Sequence, residues 1–433
     1  MTAPAERVWG LGARGWRRLQ AAAGATPFYR LLAANVANNA VSFALTVAAA
    51  RLLGPEEFGR FALAVTLTSV LAMVTAMGQN LTLVRLQAVE APADRPVIVR
   101  VVLTWQFFVT AVLTALLPVL VPVVQRLLPV LAGATALTAA GLWSAGLLTF
   151  WNIFRALDQA RGDFGAFASQ TVAYAVMRLL AAAVVLPLTG VTPLGFFLAL
   201  YPIPLVLLQG YGWITRYRHQ WSEGAGAGWP ARWRALRLSL NYGRWVALSG
   251  LLYALLFRLP QMFLSREAGA AETGRYSAAL TFLAVFSLLN DTVRTLLLPK
   301  VTALISEESR SRFRGALRRK APLVFGGLLA VLAAIAAVQW LLLGPAYRAS
   351  LPLLLILGTV MATTLYLGLL NMMVHAYGVP SLDAGVNLVR VAALGVAFAL
   401  IPHTALATTI ALSAVLLVGE LGLYGALRTL RTA

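Results

Sequence analysis

Three arginines are the residues of this sequence best placed to do chemistry. Arg178, Arg258 and Arg390 each lie in the middle of a long apolar segment. A charge at the centre of a bilayer costs about 2.5–3.5 kcal/mol on insertion scales and persists mainly where it faces a cavity or a partner. A guanidinium also pairs well with phosphate oxygens. We therefore expect these arginines to line a cavity for a hydrophilic, anionic substrate.

Polar side chains on the first apolar segment are expected to line the same cavity. Asn35, Asn38 and Ser42 lie on one helical face, because they are spaced i, i+3 and i+7. The internal repeat described below places Arg258 level with the residue next to Ser42, so this polar stripe should lie opposite that arginine. The alternative is that the stripe only forms hydrogen bonds between helices, which Asn and Ser commonly do in membranes.

Two embedded acids are candidates for coupling transport to an ion. Glu420 lies in the last apolar segment, where desolvation disfavours the charged carboxylate and would let it carry a proton. A hydrogen bond to Tyr424, one turn further along, is the alternative. Asp291 is three residues from Arg294, so these two side chains can instead form an ion pair on one helix face.

The sequence offers little for catalysis or for a cofactor. Cys is absent and only three His residues, far apart, could supply imidazole, so we predict no metal site. Neither Lys300 nor Lys320 stands in a Walker A sequence, and no nucleophile elbow occurs. The loops predicted to face outward are too short for a catalytic domain. We expect a transporter that uses no cofactor, and not an enzyme.

The composition places these residues in a membrane protein. Of 433 residues, 60% are hydrophobic and 12% charged, against about 45–50% and about 25% in soluble domains. A crossing needs about 20 apolar residues. We predict about twelve transmembrane helices, at 31–50, 61–83, 98–122, 129–151, 167–187, 193–214, 245–264, 276–298, 322–343, 351–373, 382–401 and 404–427. β-barrel strands would be shorter and alternate in polarity, so the fold is predicted to be all-α.

The basic side chains predict the orientation in the cell inner membrane. Most of the 35 Lys and Arg residues fall in segments on the side of both termini, and the positive-inside rule makes that side cytoplasmic. The net charge of +20 follows from this topology, so we expect no nucleic-acid partner. Residues 1–28 mix Arg with Trp and Leu and are expected to form a cytoplasmic amphipathic segment that lies on membrane lipids.

An internal repeat divides the chain into two halves. The segment from Arg51 to Thr66 and the segment from Arg266 to Thr281 match at seven of sixteen positions, at a constant offset of 215 residues. Duplication of a six-helix unit explains this match, and the two copies should be related by a pseudo-two-fold axis along the membrane normal. We predict an N-terminal lobe at 29–215, a cytoplasmic linker at 216–243 and a C-terminal lobe at 244–433.

Several short motifs support a resemblance to a known family, and they are Ala50-Arg-Leu-Leu-Gly-Pro-Glu-Glu-Phe-Gly-Arg-Phe-Ala-Leu63, Met77-Gly78, Arg85, Gly274-Arg-Tyr-Ser-Ala-Ala279 and Leu343-Gly-Pro-Ala-Tyr347. The sequence resembles the polysaccharide-biosynthesis flippases of the multidrug/oligosaccharidyl-lipid/polysaccharide exporter superfamily. The resemblance implies two six-helix lobes that flip a polyprenyl-pyrophosphate-linked oligosaccharide, for example one on undecaprenyl pyrophosphate, to the outer leaflet. It also implies a cationic central cavity and, as partners, a polysaccharide polymerase and glycosyltransferases.

Three other functions remain open from the sequence. A cation-coupled drug or metabolite antiporter could have the same fold, and it would favour embedded acids over arginines. A membrane-embedded polymerase or ligase acting on lipid-linked sugars would normally need a large outward loop. A scavenger of unrelated anionic lipids is the third possibility.

Overall fold

The computed structural model describes residues 26–302, 307–371 and 380–432. Across these ranges the chain is helical and has no β-strand, which confirms the predicted all-α fold. The helices are α1 (Thr26–Ala76), α2 (Gln79–Val89), α3 (Arg95–Leu127), α4 (Thr135–Ala160), α5 (Phe164–Thr189), α6 (Pro193–Leu200), α7 (Pro202–Gly212), α8 (Arg218–Glu223), α9 (Trp229–Glu267), α10 (Ala270–Thr302), α11 (Glu307–Arg319), α12 (Ala321–Leu343), α13 (Ser350–Asn371), α14 (Pro380–Leu400) and α15 (Ala405–Thr432). Most of the predicted amphipathic segment at 1–28 lies outside the described residues.

These helices account for the long apolar segments of the sequence. Eight stretches of the described chain are long and apolar enough to cross a membrane. Helix α1 contains the first predicted crossing and most of the second, which was predicted to run to residue 83, whereas α1 ends at Ala76. The predicted crossings at 245–264 and 276–298 fall within α9 and α10, and the one at 382–401 corresponds to α14, which ends at Leu400. The number of crossings and the side of the termini remain predictions.

The two copies of the repeat form the same turn between helices. α1 consists of two arms joined at Gly54, whose φ of 72° lies in the left-handed region that glycine adopts without strain. Pro55 then starts the second arm, where its missing N–H leaves no hydrogen bond unmade. The second copy turns at Gly269, with a φ of 87°, between α9 and α10. Each turn is followed by a Glu–Arg ion pair of 2.5 Å, formed by Glu57 and Arg60 in one copy and by Glu272 and Arg275 in the other.

The two copies also pack against each other. A Cβ added at Gly59 would lie 2.0 Å from the carbonyl oxygen of Ala270, and one added at Gly274 would lie 1.8 Å from that of Pro55. Ala270 and Pro55 occupy equivalent repeat positions, so each glycine meets the partner that the offset of 215 residues requires. We call this pair of backbone approaches the outer contact, because it lies at the end of the lobes predicted to face outward. The sequence repeat is therefore also a pseudo-two-fold packing unit.

The main apolar core extends across both lobes below the outer contact. Phe58, Phe61, Phe282 and other fully buried side chains of α1 and α10 belong to one cluster. The rings of Phe43 and Phe282 meet edge-on with their centroids 5.1 Å apart. Aromatic pairs of this kind prefer such offset or edge-on geometry, and here one ring comes from each lobe.

Helix α9 contacts both lobes. Near its start, a Cβ added at Gly243 would lie 2.4 Å from the carbonyl oxygen of Met77, so α9 crosses the start of α2 at backbone distance. Ser239 donates a hydrogen bond to Gln79 at the same crossing. Farther along, α9 packs against α14 and α15. The helix begins at Trp229 and continues without a break past residue 244, the predicted start of the C-terminal lobe. The lobe boundaries themselves remain predictions.

Candidate functional site

Arg178 on α5 lies against the polar stripe of α1. Its guanidinium donates to the hydroxyl of Ser42, to the side-chain oxygen of Asn38 at 2.5 Å and to the backbone carbonyl of Asn38 at 3.2 Å. Only 5% of the residue is exposed. Asn38 and Ser42 thus contact Arg178 rather than Arg258, and their bonds to it are those of the interhelical alternative.

A broken helix positions the tyrosine that lies against the Arg178 guanidinium. The helical run of α6 and α7 is interrupted at Tyr201, with a φ of −121° and a ψ of −78°. Pro204 has no N–H to donate back to the carbonyl of Leu200, and the hydroxyl of Tyr174 donates to that carbonyl instead, at 3.1 Å. The ring of Tyr174 fixed in this way lies 4.3 Å from the guanidinium carbon of Arg178, at cation–π distance.

Arg155 is a second arginine of this region, and sequence reasoning missed it. The fourth crossing was predicted to end at residue 151, but α4 continues to Ala160. Arg155 therefore lies inside a helix, where it donates to the side-chain oxygen of Asn35 at 3.4 Å and stands over the ring of Phe167 at 4.2 Å. No Gly or Pro occurs between residue 151 and Gly162, and this signal could have extended the predicted helix to include Arg155.

Arg258 on α9 contacts the other lobe through a glutamine. Its guanidinium donates to the side-chain oxygen of Gln261 at 3.3 Å, and the same oxygen accepts from the hydroxyl of Thr66 at 2.5 Å. Tyr201, at the break between α6 and α7, is close enough to interact electrostatically with both Arg178 and Arg258. These two arginines, from different lobes, thus lie within electrostatic range of the same tyrosine.

Arg390 on α14 has a different kind of partner. Its guanidinium forms an ion pair of 3.1 Å with Glu420, and the side chains of the pair are 6% and 17% exposed. It also donates to Asn387 at 3.0 Å. A Cβ at Gly419 would lie 2.0 Å from the Arg390 Nε atom, so only glycine lets the guanidinium rest on α15. Arg390 is therefore neutralised within its own lobe, and Glu420 contacts Arg390 directly.

Asp291, the other candidate for ion coupling, lies on α10, but its side chain is outside the described part of the structure. A third embedded acid, Asp158, was not predicted as a candidate and is fully buried. It forms an ion pair of 3.0 Å with Arg216 and accepts a hydrogen bond of 3.1 Å from Tyr217. Glu420 and Asp158 are thus each paired with an arginine.

Asp163 lies in the loop that links α4 and α5 at the end of the helices where Arg216 lies. The backbone N–H of Ala166 donates to its carboxylate at 2.9 Å, and Arg216 donates at 2.8 Å. These bonds stabilise the charged form and lower the pKa of Asp163 below its ordinary value, the Ala166 bond first. Asp163 is thereby a charged N-cap of α5 at neutral pH.

The three arginines near the broken helix differ from Arg390 in the partners of their guanidiniums. Among the described residues, no carboxylate lies within ion-pair distance of Arg155, Arg178 or Arg258. Asn35 and Asn38 are three residues apart on α1, which is about 4.5 Å of helix rise, so Arg155 and Arg178 contact neighbouring positions of one helix. Amide, hydroxyl and aromatic groups orient these guanidiniums but do not cancel their charge. We call these three residues the arginine cluster; its chemistry suits an anion that carries several oxygens.

The comparison with known families agrees with the expected resemblance. A sequence profile of the family described as "Polysaccharide biosynthesis protein" matches residues 28–299. This match spans more than half of the chain, and the protein belongs to that family. A sequence search of curated proteins finds no match.

Solved structures share the fold at low sequence identity. The lipid II flippase MurJ in an inward closed conformation has a TM-score of 0.73 and 11% identity, over 92% of this chain and 87% of that one. An inward-facing multidrug resistance MATE family transporter of the MOP superfamily has a TM-score of 0.68 and 14% identity, over 89% and 93%. A MOP superfamily transporter from Pyrococcus furiosus has 0.57 and 13%, over 93% of both chains. The protein is a multi-pass membrane protein with the fold of these transporters.

Proposed function

We propose that the protein is a flippase that moves a polyprenyl-pyrophosphate-linked oligosaccharide from the inner to the outer leaflet of the cell membrane. The observation that carries this proposal is the arginine cluster, three guanidiniums that have no carboxylate partner among the described residues. Charged side chains are energetically costly inside a membrane, and they occur there mainly where they face a cavity or bind a substrate. Membership of the polysaccharide biosynthesis family supports a sugar-bearing cargo.

The chemistry of the cargo matches the cluster. A pyrophosphate is a permanent anion that cannot cross hydrocarbon unaided, and guanidiniums bind phosphate oxygens through two parallel hydrogen bonds. In this proposal the pyrophosphate binds the arginine cluster while the sugars occupy the space between the lobes. The polyprenyl tail stays in the bilayer. Rocking of the lobes by alternating access then carries the head group outward, without a covalent step and without a cofactor.

The embedded acids favour a flippase over a cation-coupled antiporter. An antiporter that exchanges cations needs a carboxylate free to bind a proton or an ion. Glu420 is paired with Arg390 and Asp158 is paired with Arg216. Within the part of the chain that the structure describes, the arginines of the cluster have only neutral partners. This distribution of charge suits an anionic cargo.

The experiment that tests this function is mass spectrometry of lipid-linked oligosaccharides in cells with and without the gene. A membrane-impermeant reagent reports the leaflet in which each intermediate lies. We expect one complete intermediate to build up on the cytoplasmic face when the gene is absent. An unchanged lipid-linked pool would overturn the flippase and favour export of small solutes.

Arg258→Ala provides the matching variant. We expect it to abolish flipping, because the cluster loses the one guanidinium that comes from α9, while the protein remains folded and inserted. The variant protein is quantified in membranes by immunoblot and by thermal unfolding. Wild-type flipping by Arg258→Ala would remove this residue from the proposed site.

A further inference from the structure

Gln261 is bonded from both lobes at a buried position below the outer contact. It lies on α9 and is 3% exposed, while Thr66 on the second arm of α1 is fully buried. The Thr66 hydroxyl donates to the Gln261 side-chain oxygen at 2.5 Å. The Gln261 amide nitrogen donates in turn to the hydroxyl of Ser277 on α10, at 3.0 Å. A polar chain of three side chains therefore joins the N-terminal lobe to two helices of the C-terminal lobe.

The same glutamine orients Arg258. The guanidinium donates to the Gln261 oxygen at 3.3 Å, so this oxygen accepts from Thr66 and from Arg258 together. Both donors, with Ser277, hold the amide in one orientation. A ligand that takes the Arg258 donor for itself removes one of these restraints and leaves the Gln261 amide freer to rotate away from Thr66.

The symmetry-related position shows that this link between lobes is not a general property of the repeat. Thr66 and Thr281 are equivalent, matching residues. The hydroxyl of Thr281 donates at 2.9 Å to the carbonyl of Ser277 on its own helix. Thr66 donates across the lobe boundary instead. Of these two equivalent threonines, Thr66 therefore forms a hydrogen bond between the lobes and Thr281 does not.

We propose that Gln261 is a positioning residue that couples head-group binding to release of the outer contact. Thr66 and Gln261 form a latch that keeps the lobes together at this end, and Arg258 strengthens the latch while no anion is bound. Binding of an anionic head group by Arg258 would loosen the latch and favour outward opening. The role of Arg258 as a cargo ligand rests on the proposed function, whereas the latch stands on the hydrogen bonds alone.

The test uses the absence of Cys from the chain. Arg51→Cys and Arg266→Cys place spin labels at two exposed, repeat-equivalent positions beside the outer contact. Pulsed electron paramagnetic resonance in nanodiscs then gives the distance distribution across the lobes, without any ligand. Thr66→Val should raise the ratio of open to closed lobes about 5-fold, the effect of losing one net hydrogen bond.

Three further variants separate the latch from general packing. Thr281→Val is the matched control, and we expect it to leave the distance distribution unchanged. Thr66→Ser keeps the hydroxyl and should restore the closed distribution. Arg258→Gln should open the lobes about 2-fold on its own. It should add less than this in a Thr66→Val background, because the two residues act through the same glutamine oxygen.

The outcomes distinguish the latch from the flippase. Equal distributions for Thr66→Val and Thr281→Val would overturn the latch, whatever the cargo is. An effect of Arg258→Gln that adds fully to that of Thr66→Val would overturn the coupling through Gln261. Inorganic pyrophosphate, added last, should shift the otherwise wild-type labelled protein toward the open distance but leave Arg258→Gln unchanged. Since the first comparisons contain no ligand, failure of the flippase proposal alone would leave them intact.

Discussion

The two lobes each bury an arginine in corresponding helices, but among the described residues only the C-terminal lobe pairs its arginine with a carboxylate. Arg178 on α5 and Arg390 on α14 lie in the fifth and eleventh predicted crossings, and both residues are 5% exposed. Arg178 contacts amide, hydroxyl and aromatic groups. Arg390 forms an ion pair with Glu420.

This comparison shows that burial alone does not identify a binding arginine. Two guanidiniums with the same exposure differ in the charge that they can offer to a ligand. The charge of a paired arginine is already compensated by a carboxylate, and a ligand would have to compete with that carboxylate. Arg178 can accept an anion without losing an ion pair. We therefore assign binding of the proposed head group to the N-terminal lobe together with Arg258.

The largest effect on stability should come from breaking the ion pair of Arg390 and Glu420. Glu420→Ala leaves Arg390 buried without its carboxylate, which should cost about 3 kcal/mol of folding free energy and lower the Tm by several degrees in detergent. The double variant Arg390→Gln with Glu420→Gln should recover most of this loss, because no charge is left unpaired. A double variant as unstable as Glu420→Ala would show that packing, and not charge, is what the pair supplies.

The next effect distinguishes the two arginines by ligand affinity. Arg178→Gln should weaken binding of inorganic pyrophosphate about 10- to 100-fold, because hydrogen bonds to charged groups contribute about 1.5–3 kcal/mol. Its Tm should change little, because removing a buried charge offsets the hydrogen bonds lost to Asn38 and Ser42. Isothermal titration calorimetry at fixed ionic strength measures the affinity. The charge-neutral double variant of Arg390 and Glu420 should retain wild-type affinity, and a similar loss in both proteins would erase the difference between the lobes.

A smaller effect concerns the glycine beneath Arg390. Gly419→Ala places a methyl group where the Arg390 guanidinium lies, so the guanidinium must shift and the ion pair must lengthen. We expect a loss of about 1–2 kcal/mol, within the usual cost of overpacking. Gly422→Ala on the same helix is the control, because a Cβ there would meet nothing within 4 Å, and alanine favours a helix over glycine. Equal Tm values for the two variants would contradict the structural role of Gly419.

The smallest effect tests the polar stripe. Ser42→Ala removes one neutral acceptor of Arg178, which should weaken pyrophosphate binding about 2- to 5-fold, as expected for one hydrogen bond. Thr46→Val is the control one turn away, because the Thr46 hydroxyl bonds only to the Ser42 carbonyl of its own helix in the described contacts. Unchanged affinity in Ser42→Ala would mean that Asn38 and Tyr174 orient the arginine without the serine.

Much of the fold could be predicted from the sequence. Long apolar segments predicted the helices, and the family motifs agreed with the profile match. The repeat predicted that Gly59 and Gly274 are equivalent, although not that each approaches the backbone of the other copy. That contact depends on how two lobes pack, which a pattern within one segment does not contain.

The site could be predicted only in part, because its partners come from distant helices. The sequence identified Asn38 and Ser42 as a polar face and placed it opposite Arg258, whereas the described hydrogen bonds of this face come from Arg178 on α5. Arg155 was missed because the predicted crossing ended too early. The pairing of Arg390 with Glu420 joins two helices of one lobe. Both residues were identified as embedded charges, and only the packed structure shows that they neutralise each other.

The most direct test of the central claim compares flipping by two charge-altered proteins in cells. One carries Arg178→Gln with Arg258→Gln, which removes two unneutralised charges; the other carries Arg390→Gln with Glu420→Gln, which removes a neutral pair. Sidedness of the lipid-linked oligosaccharide is measured by mass spectrometry at matched protein levels. We predict that the first protein leaves the intermediate on the cytoplasmic face and that the second transports it. Transport by the first protein, or arrest in the second alone, would contradict the account.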